Sequence, residues 1–205
     1  EYRTVQSRLD QLPAAPTAEQ VARAQQQGQP VPGAGEPVGT SGRTVRVEAP
    51  ANSWRTYQPN NLLRVTVPAN WGQVGGDSGV MYVPEGGFYQ GQGGSTAFTH
   101  GVQVGVVNAN ARNLQAATEA LIESFTQSNP DLRRASNYVR ANVGGRNGIA
   151  TTLTNVSAIT GEREFIQLST TSLSDGSTLF VIGVAPQDEA RSYQGVFKSR
   201  AQGVV

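Results

Sequence analysis

The chain has 205 residues, of which 37% are apolar, with 24 glycines, 11 prolines and a formal charge of +1 from 16 basic and 15 acidic side chains. That length holds one domain with chain to spare, and the low apolar share assigns the surplus to linker. Without cysteine, disulfides, Cys-ligated zinc and thiol catalysis are excluded, and arginines scattered along the chain apart from Arg133–Arg134 do not form the basic face that nucleic acid requires.

The first segment, 1–27, reads as helical. Tyr2, Val5, Leu9 and Leu12 recur at helical spacing. Pro13 and Pro16 interrupt the pattern, and Thr17 is placed to cap a second short helix. Residues 28–42, "GQPVPGAGEPVGTSG", are rich in proline and glycine without an apolar period, as a linker is. Glu1 in place of Met is expected of a mature form or of a segment of a longer chain. No apolar run spans a bilayer, so membrane insertion by this segment is not expected.

The compact domain is expected over 43–205. "RTVRVEAP" alternates Val45 and Val47 with charges, as a half-buried strand does. "NLLRVTVPANW" sets Leu63, Val65 and Val67 on one face, and Pro68 ends that ladder because it has no N–H. "VMYV" and "GVQVGVV" are further strands. Asn113 then caps a helix whose stripe is Leu114, Ala117, Leu121, Ile122 and Phe125, with Pro130 beyond its end.

After the helix, "NYVRANV" and "GIATTLTNV" form a hairpin through "GGRNG", whose residues tolerate positive φ. "REFIQLSTTSL" and "STLFVIGVA" form another across Ser174, Asp175 and Gly176. The run Leu179–Val184 is nearly all apolar, so its strand should be central and covered on both faces. A last helix is expected from Pro186, with Asp188 and Glu189 near its positive end and Lys198 and Arg200 near its negative end. Tyr193, Val196, Phe197 and Ala201 make its buried stripe. Strands, helix, four strands, helix is the order of an antiparallel sheet in an α+β sandwich.

Four features invite a chemical reading. Gly76-Asp77-Ser78-Gly79 matches the surroundings of a nucleophilic serine. Such a serine needs a base within reach and a group orienting that base. The one histidine, His100, follows Ser78 rather than preceding it, and no late Asp-x-x-His exists, so turn chemistry is the preferred reading. His100 lacks the companions of a zinc site, since only carboxylates could complete one, and reads as a hydrogen-bonded structural residue.

"YQGQGGST" is glycine-rich but has no lysine and precedes a strand, so it is a surface loop and not a phosphate loop. Its aromatics, Phe88 and Tyr89, are placed to rim a binding surface. Glu162 and Glu164 share one face of a strand, with a solvated turn as their expected setting. Asn155-Val156-Ser157 is a glycosylation sequon in a eukaryotic host.

"LLRVTVPANW", "VMYVPEGG", "THGVQVGVV" and a helix ending "SNPDL" together resemble the PsbP-like α/β/α sandwich, over about residues 53–205. In that superfamily a strand ends in Pro-x-x-Trp, here Pro68 to Trp71. A narrower resemblance, carried by "EYRTVQSRLDQLPAAPT", the linker, "NYVRANVGGRNGIATTL" and "VAPQDEARSYQGVF", is to the C-terminal half of exported bacterial HtpX-type zinc metallopeptidases. Those enzymes carry His-Glu-x-x-His and a downstream Glu; this chain has neither, so no catalytic or zinc residue transfers to it.

The resemblance implies a non-catalytic accessory domain, exported or periplasmic, needing no cofactor of its own because any zinc belongs to a preceding catalytic domain. Its expected partner is a protein or peptide, or that catalytic domain. Residues 84–99 and the sheet edge are the expected docking surface, with Trp71, Phe88, Tyr89 and His100 as candidate contacts and core packing as the competing role of Trp71. The alternatives are a stand-alone exported binding protein, lipoprotein-like, and a serine hydrolase using Ser78.

Overall fold

The computed structural model describes residues 47–60, 63–76, 79–90, 96–108, 111–158, 160–198 and 201–203. In chain order these form β1 (Trp54–Asn60), β2 (Leu63–Pro68), β3 (Trp71–Gly76), β4 (Gly79–Pro84), β5 (Phe88–Gln90), β6 (Thr96–Phe98) and β7 (Gly101–Val107). Helix α1 (Leu114–Ser128) follows, then β8 (Arg133–Arg134), β9 (Val139–Val143), β10 (Arg146–Val156), β11 (Arg163–Ser172) and β12 (Thr178–Pro186). Helix α2 (Ala190–Lys198) and β13 (Ala201–Gly203) close the sequence of elements. The helices and linker expected over 1–27 and 28–42 lie outside the described residues.

The main sheet is antiparallel, in the order β3-β4-β7-β12-β11-β10-β8, with β9 also paired to β10. A smaller sheet, β1-β2-β13, and a hairpin, β5-β6, accompany it. Strand β12 lies in the middle. Its alternate residues feed two cores, one containing Phe180, Ile182 and Val184, the other Leu179, Val181 and Ala185. A nearly unbroken apolar run is what a strand covered on both faces requires.

Helix α1 covers the first face. The Asn113 side chain caps it by accepting from the Ala116 N–H at 2.8 Å. Leu121, Ile122 and Phe125 then meet Leu153, Ile166, Leu168 and Phe180. The small sheet and α2 cover the second face, where Val65, Val67, Tyr193, Val196 and Phe197 pack on Trp71, Tyr82, Val102 and Val104. At Gly183 a Cβ would overlap the Phe197 ring, so the sheet must be bare there for α2 to seat.

The structure departs from the sequence pattern at four places. Val47 to Pro50 is not a strand; Asn70 ties Ala49 and Ala51 to the β2–β3 turn instead. The earlier part of that expected strand, 43–46, lies outside the described residues; β1 follows, mostly exposed and shifted in register between Tyr57 and Asn60, where Pro59 interrupts the ladder. Pro186 ends β12, paired with Glu164, and α2 starts only at Ala190 after a turn in which the Glu189 N–H bonds the Pro186 carbonyl. Asp188 and Glu189 therefore precede the helix, and Ala201 belongs to β13. Within 84–99, the expected loop contains the β5–β6 pair, with Phe88 opposite Phe98.

Candidate functional site

One end of the sheet gathers His100, Thr99, Glu189, Tyr193, Glu162 and Asp188. It forms because β7 begins at Gly101 opposite Val184, two residues before β12 ends. The turn into α2 then brings Glu189 across the same end. Gly87 closes the other side: its carbonyl accepts from the Thr99 N–H at 2.9 Å, and a Cβ there would press on the His100 carbonyl.

His100 is 6% exposed and Thr99 3%. The Nδ1 of His100 lies 2.8 Å from Thr99 Oγ1, and its Nε2 lies 3.5 Å from Glu189 Oε2. That second contact is too long and poorly aligned for a hydrogen bond. A carboxylate oxygen repels a ring lone pair, so the proton belongs on Nε2, and Thr99 donates to Nδ1. Burial pushes the imidazole pKa down to about 4, against the pull of the Glu162 and Asp188 carboxylates. His100 is therefore neutral at pH 7, and its contact with Glu189 is not an ion pair there.

Burial, then Asp188, holds the Glu189 carboxyl above its usual range. Burial, then Glu189, raises the Tyr193 phenol. The Tyr193 ring bridges His100, at 5.5 Å between centroids, and Trp71, at 6.2 Å.

A hydroxyl, an imidazole and a carboxylate in a row are the parts of a nucleophilic relay. Here the hydroxyl belongs to a buried residue adjacent to the histidine, which leaves no room for a reacting carbonyl about 3 Å away. The arrangement works instead as a pin that fixes the start of β7. Among the described residues, no group of three or more His, Asp or Glu side chains is placed to hold a metal. A cavity of 20 Å³ beneath α2, walled mainly by valines with Thr66 and Phe197, has room for about one water.

The four candidate contacts separate. Trp71 is 1% exposed and belongs to the core, so it offers no surface for a partner. The Trp71 carbonyl accepts from the Tyr57 hydroxyl at 2.8 Å. His100 is buried. Phe88 and Tyr89 are half-buried on β5, and burial, followed by Glu162, raises the Tyr89 phenol. Ser78 and Asp77 lie outside the described residues, between Gly76 and Gly79, which are paired across β3 and β4.

Glu164 is not the solvated residue that its sequence neighbours suggest. It is 7% exposed and accepts from the Asn155 Nδ2 at 2.9 Å. Burial raises its carboxyl, and the bonds from Asn155 and Ser157 counter part of that rise. The same contact buries the Asn155 of the sequon. The signal was in the hairpin: pairing Val156 with Arg163 places Asn155 directly opposite Glu164.

No protein-family model matches this sequence, and no curated protein does. Solved structures match. The solution structure of cyanobacterial PsbP (CyanoP) from Synechocystis sp. PCC 6803 aligns over 77% of this chain and 92% of its own, with a TM-score of 0.50 at 10% identity. The fold is PsbP-like. The antiparallel α+β sandwich expected from the sequence is thus the observed one, and at this identity the likeness is one of fold. LpqN, described as involved in cell envelope biogenesis of Mycobacterium tuberculosis, aligns over 75% of this chain and 91% of its own, with a TM-score of 0.45 at 11% identity.

Proposed function

We propose that this PsbP-like domain is a non-catalytic docking module of an exported bacterial protein, the C-terminal accessory part of an HtpX-type zinc metallopeptidase. The observation that carries the reading is the state of His100. It is the one histidine of the chain, and it is buried, neutral and bonded to its own neighbour. A general base must reach a substrate proton, and this imidazole is spent on holding a strand.

The docking surface consists of the β5–β6 hairpin, with Phe88 and Tyr89, and the neighbouring sheet edge. Its partner is a polypeptide, either the preceding catalytic domain or that domain's substrate. The domain takes no cofactor of its own.

The test is purified 1–205 protein assayed for peptide turnover and for bound zinc, together with the reading frame upstream of Glu1. The expected result is no turnover, no stoichiometric zinc, and an upstream His-Glu-x-x-His helix. Turnover abolished by Ser78→Ala would replace the reading with a serine hydrolase. A lipobox directly upstream would replace the peptidase parent with a stand-alone binding lipoprotein.

A further inference from the structure

Three of the strand edges among the described residues are built differently. Strand β1 is broken by its register shift at Pro59 and carries Arg55. The far edge of the main sheet is split into β8, two residues long, and β9. Between them the Ser136 hydroxyl, not a strand, takes the Thr152 N–H at 2.9 Å, and Arg133, Arg134 and Arg140 stand exposed. Bulges, short strands, proline and charge are the usual protections of an edge against another chain.

Strand β3 has none of these. Its six residues contain no proline and no charged side chain, and its register with β4 runs unbroken from Trp71–Pro84 to Gly76–Gly79. Beyond Trp71, whose carbonyl Tyr57 occupies, Gly72, Gln73 and Gly75 are exposed.

The glycines add a second, independent observation. Gly79 and Gly101 need positive φ, and at Gly148 a Cβ would collide with the Thr170 carbonyl. Gly72 and Gly75 have neither reason. Their φ values are not in the left-handed region; a Cβ at Gly75 would meet nothing within 4 Å, and one at Gly72 only an ordinary contact. Glycine weakens a strand. Here it weakens one that the domain's own packing does not require to be bare. The two positions lie on opposite faces of the strand, because they are an odd number of residues apart. Bare faces on both sides suit the close approach of another backbone.

We propose that the β3 edge binds an extended polypeptide as an added strand. This deepens the docking reading and rests on it: the partner is recognised through its main chain, with little regard to side chains. Among the described residues no strand pairs with β3 on its outer side, and a row of outward N–H and C=O groups is matched best by another extended backbone.

The experiment uses the 1–205 chain and the probe Ac-Lys-Thr-Val-Thr-Val-Thr-Lys-amide. Two further probes are N-methylated on alternate residues, one set for each parity. Binding is read by fluorescence anisotropy and mapped by amide hydrogen exchange. The expected result is protection of β3 amides and a loss of affinity of about tenfold or more for one methylated parity but not the other. Gly72→Lys with Gly75→Lys should weaken the parent probe by a similar factor with folding intact. Equal binding of all three probes, or protection confined to β5 and β6, overturns the edge proposal while leaving the docking reading standing. No binding up to about 1 mM overturns it too, and β3 protection that appears with protein concentration alone makes the occupant a second copy. Failure of the docking reading itself is seen separately, as turnover or zinc in the unliganded chain.

Discussion

The two faces of the main sheet are built from different materials. Beneath α1 the core is mainly aliphatic around the Phe125–Phe180 pair, and most of its polar groups are matched. Thr118 gives its proton to the Leu114 carbonyl at 2.8 Å and so accepts from Thr170 at 2.7 Å; Asn155 bonds Glu164 through Nδ2, and its Oδ1 is left without a partner among the described residues. Beneath α2 the core is valine and aromatic. Trp71, Tyr82, His100 and Tyr193 each keep a polar atom buried with no hydrogen-bond partner among the described residues. Such atoms cost stability where they are desolvated. The lesson is that α1 anchors the domain and the α2 face bears its strain, and the strained face borders the His100 end.

Mutations can break that comparison. Leu168, fully buried beneath α1, is where the largest loss is expected: Leu168→Ala should cost about 3 kcal/mol, read by urea denaturation. An effect under about 1 kcal/mol would mean that this face does not carry the fold.

Acid comes next. In the unfolded chain His100 has the ordinary pKa of 6.5, and in the fold it has a pKa of about 4. Between those values the unfolded state binds more protons, so stability is full above pH 6.5 and falls as pH drops toward 4. The ceiling is about 3 kcal/mol. The raised carboxyls of Glu164 and Glu189 run the other way, favouring the fold at low pH and losing that contribution as pH rises. His100→Gln should therefore flatten or invert the acid limb of a Tm-against-pH curve. An unchanged limb would place the acid sensitivity elsewhere.

Smaller effects sharpen the contrast. Thr170→Val leaves Thr118 without its buried donor and should cost about 1 kcal/mol in chemical denaturation. Tyr193→Phe removes a hydroxyl that has no partner, so its cost should stay within about 0.5 kcal/mol and could reverse sign. If Tyr193→Phe were the costlier of the two, the α2 face would not be the strained one.

What was legible in the sequence followed period and local turn chemistry. The Leu179–Val184 run could only be a strand buried twice, and it is. Gly144 and Gly145, with φ of 63° and 81°, supply the turn that "GGRNG" announced. Asn113 and the α1 stripe were equally plain. Long-range pairing was not legible. Pro186 suits a first helical turn, but pairing with Glu164 across β11 and β12 extends the strand through it. Val47 alternates with charges like a strand, yet Asn70 holds the chain after it to a turn. Strand β1 was hidden because most of its residues are exposed and polar. At the site, a lone histidine was readable as structural, but its setting among Thr99, Tyr193 and Glu189 depends on elements almost a hundred residues apart.

The non-catalytic reading depends most on the sole imidazole being locked in the core. Long-range ¹H–¹⁵N correlation spectra of His100 across pH 3–8 test this directly. The account predicts a neutral ring protonated on Nε2 at pH 7, with titration beginning only near pH 4. A ring that titrates near 6.5 would mean an imidazole open to solvent and free to act as a base.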